Sequence, residues 1–130
     1  MDKSATQWMI EPLRKYATFS GRARRKEYWW FALFTFLVTM MLAIGDYILV
    51  GSENMAVYGA GPLLGFGSLA LILPSLAVTV RRLHDRDKSG WFILLGLLPI
   101  VGAIVLFVWY VSRGTAGDNR FGPDPLAGEG

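Results

Sequence analysis

Three long stretches of this 130-residue chain carry almost no charge, and they limit what it can fold into more than any other feature. Residues 28–50 hold no charged side chain before Asp46, residues 61–80 hold none, and residues 91–111 hold none. A bilayer core about 30 Å thick takes roughly 20 apolar residues in a helix, and each stretch reaches or approaches that length. The runs are apolar all round, with no polar stripe at helical spacing, so in water each would need a large protein around it. Only 18% of the chain is charged and 53% is hydrophobic, a balance that excludes disorder and disfavours a water-soluble domain.

Inside lipid the backbone must satisfy its own hydrogen bonds, which leaves helices or a closed barrel. Barrel strands alternate polar and apolar residues, and these runs do not. The expected fold class is therefore all-α: an integral membrane protein forming a single domain over residues 1–130. Its expected transmembrane helices are 28–50, 61–80 and 91–111. Pro62 suits a first helical turn. Pro74 predicts a kink whose freed carbonyl Ser68 or Ser75 would pair. The first stretch starts too far in, and runs too long, for a signal peptide with an apolar region of about 7–15 residues, so it reads as an uncleaved anchor.

The 13 Lys and Arg residues are unevenly placed: seven precede the first stretch, none lies in 51–60, four lie in 81–90 and two in the tail. By the positive-inside rule the N-terminus and the 81–90 link face the cytoplasm, and the tail faces the periplasm. Tyr28, Trp29 and Trp30 at one border, with Trp91, Trp109 and Tyr110 at others, fit headgroup-level aromatic belts. Leu98-Pro99 admits a second threading, a re-entrant hairpin that leaves the C-terminus cytoplasmic.

Before the first stretch, Trp8, Met9, Pro12, Leu13, Tyr16 and Phe19 recur at helical spacing, which predicts an interfacial helix within 4–19. Ser20 is a candidate cap for the helix that follows, and Asp87 or Ser89 for the third. Asp46 falls about 27 Å along a helix from Tyr28, near the outer headgroups. Gly61 and Gly65 have the spacing of close helix packing, which would serve a bundle or a homo-oligomer. The turn-forming tail, 114–130, is expected to pack on the outer end of the bundle, anchored by Arg120 to a headgroup or a carbonyl.

Two basic clusters, one around Arg22 and Arg25 and one around Arg81, Arg82 and Arg86, are expected at one membrane face. Cations beside an anionic leaflet attract headgroups by about 1 kcal/mol each. Together they would form one surface for anionic lipid or a partner membrane protein, with Glu27 as an internal counter-ion. His84, Asp85, Trp91 and Arg120 complete the candidate set. His84 beside Asp85 is not read as catalytic, because neighbours on a helix point about 100° apart, and the chain has one His and no Cys. No metal, cofactor or enzymatic activity is expected. No DNA-binding unit precedes the first stretch, so the basic pI of about 9.4 is not taken to mean a nucleic-acid partner. The alternative to an interaction protein is an oligomeric small transporter or channel component.

Three strings identify a relationship: Phe19-Ser-Gly-Arg-Ala-Arg-Arg-Lys-Glu-Tyr-Trp-Trp-Phe31, Val80-Arg-Arg-Leu-His-Asp-Arg-Asp-Lys-Ser-Gly-Trp91 and Gly114-Thr-Ala-Gly-Asp-Asn-Arg-Phe-Gly-Pro-Asp-Pro125. With them the chain resembles, from about Trp8 to Pro125, the bacterial family called domain of unknown function 805. Tyr28, Phe92 and Phe121 are mild departures from the expected Phe, Trp and Tyr. The resemblance implies a small bacterial inner-membrane protein, and it carries over no catalytic residue.

Overall fold

The computed structural model describes residues 3–58 and 61–126, with the side chains of 55–58 outside the description; residues 127–130 of the tail segment also lie outside it. The described residues form α1 (Ala5–Arg14), α2 (Arg25–Tyr58), α3 (Pro62–Asp85), a 3-10 helix (Gly90–Leu97) and α4 (Val101–Val111). The all-α class expected from the sequence is what the structure has.

α2 and α3 are the long apolar elements. Arg25–Asn54 and Pro62–Asp85 each contain an 18-residue window of mean hydropathy 2.1, and only 6% and 17% of those windows are buried. Met41, Ile48, Phe66 and Leu69 are each at least 67% exposed. So large an apolar surface is untenable in water and is what a helix facing hydrocarbon presents. The helical backbone of α2 is interrupted at Gly51, φ +81°, close to the expected end of the first stretch at Val50.

The two helices pack against each other, and glycine sets the approach. A Cβ on Gly67 would lie 2.3 Å from Leu42 Cδ1, and one on Gly61 2.4 Å from Asp46 Cγ. Gly65 has nothing within 4 Å, so the close approach runs through Gly61 and Gly67 and not through the Gly61/Gly65 pair. Asp46 is fully buried and does not face headgroups. Its two carboxylate oxygens accept from the N–H groups of Leu63 and Leu64, each at 2.8 Å. Gly61 has no side chain to cap α3, so the neighbouring helix supplies the cap.

α3 runs through Pro74 as one element. Proline offers no N–H to the carbonyl four residues back, here that of Ala70. The Tyr16 hydroxyl donates to that carbonyl, in place of the expected serines. Tyr16 follows α1, whose start is fixed by a capping box between Ser4 and Gln7. α1 packs on α2 and α3 and buries Trp8, Glu11 and Pro12. The expected interfacial helix is thus shorter than 4–19 and lies against the bundle. Ser20 sits in the loop before α2, which begins at Arg25, and caps nothing.

The third apolar stretch differs from a single 21-residue rod. Leu98, before Pro99, adopts φ −85°, ψ 111°, the extended backbone that a following proline favours. Ile100 takes φ +66°, and the chain reverses. A Cβ on Gly102 would fall 1.6 Å from the Leu95 carbonyl oxygen, so the turn needs glycine there. Ser89 caps the 3-10 helix, as expected, by accepting from the Trp91 N–H at 3.3 Å. α4 has 11 residues, about 16 Å at the standard rise, too short to cross. Its far end returns to the start of α2: Trp29 Nε1 donates to the Tyr110 carbonyl at 3.0 Å and Arg25 to that of Val111 at 3.2 Å. The tail therefore lies at the end where α2 begins and α3 finishes, which corrects its expected place at the opposite end.

Candidate functional site at the arginine end

The last turns of α3 carry Arg81, Arg82, His84 and Asp85, all buried, where the N-terminal loop, the start of α2, the end of α4 and the tail converge. Asp85 is the hub. Its Oδ1 accepts from Arg22 Nε at 2.9 Å and its Oδ2 from Arg82 Nη1 at 2.6 Å. Its own carbonyl accepts from the Thr115 N–H at 2.6 Å. A Cβ on Gly114 would stand 2.1 Å from Asp85 Oδ2, so glycine alone lets the tail pass this close.

Each arginine also donates to backbone carbonyls. Arg82 donates to those of Trp109, Tyr110 and Ser112, which closes the C-terminal end of α4, where unpaired carbonyls and the helix dipole favour a cation. Arg81 pairs with Glu27 at 2.6 Å and donates to Thr18 O at 3.0 Å. Glu27 lies in the first turn of α2, where a carboxylate is favoured; it is the internal counter-ion the sequence suggested. Arg22 donates to the carbonyls of Gly117 at 2.7 Å and Thr115 at 2.5 Å, and Asp124 lies 3.8 Å away. Three buried guanidiniums thus meet three buried carboxylates, Glu27, Asp85 and Asp124, so the cluster is balanced.

His84 holds the loop and the tail together. Its Nδ1 lies 2.9 Å from the Gly21 carbonyl oxygen, its ring stacks parallel on Phe121 at 3.9 Å, and its own carbonyl accepts from Asn119 Nδ2 at 2.9 Å. Gly21 takes φ +88° to present that carbonyl. Asp124 accepts from the N–H groups of Leu126 and Gly117, each at 2.9 Å. Those bonds, Leu126 first, hold its carboxyl below the usual carboxylate range.

The candidate residues therefore divide. Arg22, Arg81, Arg82, His84 and Asp85 come together but point inward. Arg86 is half-buried and donates to the Arg113 carbonyl at 2.7 Å. Arg120 is exposed and anchors the tail by donating to the Asp87 carboxylate at 3.2 Å and the Asp87 carbonyl at 2.9 Å, at the end of the bundle opposite to the expected one. Trp91 stands apart on the 3-10 helix, 79% exposed. Arg25 is exposed too, and with Lys26, Trp29, Trp30 and Leu33 it lines a groove of about 410 Å³. Cations occupy the first turn of α2, indoles the second and Leu33 the third, a graded path from water toward hydrocarbon. Asp124, Asn119 and Gly114 were missed as members of the cluster; they lie about 30 or more residues beyond Asp85, and only the Gly-Asp-Asn and Pro-Asp-Pro turn signals marked their region.

Comparison with known proteins is consistent with this picture. A family model described as a protein of unknown function (DUF805) matches residues 16–123. The inner membrane protein YhaH of Escherichia coli K12 is 43% identical over 118 residues, 91% of this chain and 95% of that protein. The inner membrane protein YhaI of the same strain is 44% identical over 123 residues, 94% of this chain and 98% of that one. No solved structure matches.

Proposed function

The chain belongs to the DUF805 family and is an inner-membrane protein, and from that premise we propose that it is a non-enzymatic interaction protein. It gathers anionic phospholipid headgroups at the rim of its arginine end. The observation that carries this reading is the division among its basic residues. Arg22, Arg81 and Arg82 are consumed inside a balanced cluster, whereas Arg25 and Lys26 are exposed and line a groove with Trp29 and Trp30. The inward set builds the cap; the outward set meets phosphate, to which an Arg fork can donate twice, while the indole rings sit at headgroup level.

The segments that carry all 13 Lys and Arg residues converge on this end, and the 51–60 link carries none. That asymmetry supports a cytoplasmic arginine end, with the tail on the same side. An oligomeric transporter has less support, because Asp46, the sole carboxylate within residues 28–50 and 61–80, is occupied in capping α3.

The test is lipid retention measured by native mass spectrometry on protein carried in phosphatidylcholine and challenged with phosphatidylglycerol. The Arg25→Gln/Lys26→Gln double variant is expected to lose about thirtyfold in phosphatidylglycerol retention, at about 1 kcal/mol per cation, while remaining folded. Undiminished retention would defeat the proposal.

A further inference from the structure

A second groove shares no residue with the first. Leu76, Val80 and His84 follow one another at four-residue intervals along one face of α3. With Phe19 from the N-terminal loop and Trp91 and Ile93 from the 3-10 helix, they line an open groove of about 520 Å³, a volume typical of a small-ligand site. Gly90 keeps the 3-10 helix close against α3, for a Cβ there would lie 2.8 Å from Val80 Cγ1.

The lining is apolar except at one end, where His84 and Ser89 stand. That end adjoins the arginine cluster. The other, at Leu76, lies eight residues back along α3, about 12 Å into the apolar length of the helix. None of the lining residues is Lys, Arg, Asp or Glu.

The two polar groups have defined roles. A carbonyl only accepts, so the 2.9 Å contact with Gly21 O places the proton of a neutral imidazole on Nδ1 and leaves the lone pair on Nε2. Phe121 covers the ring face at 3.9 Å and fixes its plane. Ser89 Oγ already accepts from the Trp91 N–H and keeps its own proton to donate. The polar end thus offers one acceptor and one donor, which is the complement of a single hydroxyl group, itself both donor and acceptor. A carboxylate or phosphate would meet the Nε2 lone pair with its own and find no cation in the lining.

We propose that this groove binds a neutral, hydroxyl-headed, single-chain amphiphile taken up from the surrounding leaflet. Its hydroxyl lies between His84 and Ser89, and its chain runs along Val80 and Leu76 with Phe19 and Trp91 closing the sides. The polarity gradient of the groove matches the orientation in which a membrane presents such a molecule, head toward the aqueous border and chain toward the core.

The experiment compares oleyl alcohol with methyl oleate, which keeps the chain but has no proton to donate to His84 Nε2. Full-length protein in phosphatidylcholine nanodiscs is loaded with each probe, and bound probe is counted by native mass spectrometry. Oleyl alcohol is expected to be retained about tenfold more than methyl oleate, as the loss of one well-made buried hydrogen bond implies. Leu76→Trp, which fills the apolar end far from the arginine cluster, is expected to abolish retention of both. Equal retention of the two probes, or retention unaffected by Leu76→Trp, would overturn the proposal. Arg25→Gln/Lys26→Gln is expected to leave oleyl alcohol retention unchanged, which separates the failure of this site from the failure of the headgroup site; a parallel loss would also overturn it.

Discussion

Arg82 and Arg120 belong to motifs of similar appearance and do different work. The Arg82 side chain is fully buried and bridges Asp85 to three carbonyls of the α4 terminus and its flank. The Arg120 side chain is 64% exposed and meets an Asp87 side chain that is 41% exposed. Breaking a buried, hydrogen-bonded pair typically costs about 3–5 kcal/mol, whereas an exposed pair contributes about 0–1 kcal/mol. Arg82→Ala is expected to lower unfolding stability by several times more than Arg120→Ala, as measured by denaturant titration in mild detergent; equal effects would show that the cluster is not the keystone. The sequence tally could not make this distinction, because counting positive charges says which side of a membrane they favour but not which way they point. Glu27 was legible as a counter-ion beside its own basic cluster, whereas Asp124 was hidden: it lies 39 residues beyond Asp85 in the chain and signals no partner locally. Asp124 also titrates in a predictable direction. Its folded pKa is lowered by amide donors, so its stabilising contribution is full above its unfolded value, about 3.9, and is lost as the pH falls through the folded value. The hydrogen-exchange protection factors of the tail, which correct for intrinsic rates, are expected to hold down to about pH 4 and to fall below it, with Asp124→Asn lowering them at neutral pH and flattening that acid transition.

α3 takes its two most vulnerable positions from other elements. Its N-terminus is capped by Asp46 of α2, and the carbonyl left open by Pro74 is closed by Tyr16. Loss of an N-cap costs about 0.5–2 kcal/mol, so Asp46→Ala is expected to destabilise by that order, with Asp46→Asn keeping most of the stability. Gly61→Ala should cost more than Asp46→Asn, because the added methyl collides with the capping carboxylate itself; thermal unfolding of the three variants ranks them. The apolar lengths of α2 and α3 were legible because hydropathy reports them directly, but not their ends: α2 runs Arg25–Tyr58 against the expected 28–50, and α3 runs on to Asp85 past the expected Val80. The third stretch was legible in composition but not in path. Its 21 apolar residues suffice for a span, and only Leu98-Pro99 pointed to the reversal that the structure makes with Ile100 and Gly102.

At the scale of the molecule, two apolar helices carry a polar cap at one end. The N-terminal loop, the α3 terminus, the returning hairpin and the tail are bound there to one another through Arg22, Arg82, His84 and Asp85. This arrangement requires the tail and the N-terminal loop to share one side of the membrane, with the link after α2 on the other. The chain contains no Cys, so single cysteines report position without background. The decisive measurement is the accessibility of Ala17→Cys, Glu53→Cys and Asp118→Cys to a membrane-impermeant maleimide in intact and in permeabilised cells. Labelling of Glu53→Cys alone in intact cells, with Ala17→Cys and Asp118→Cys reacting only after permeabilisation, is the expected result. Labelling of Asp118→Cys together with Glu53→Cys in intact cells would contradict the shared cap.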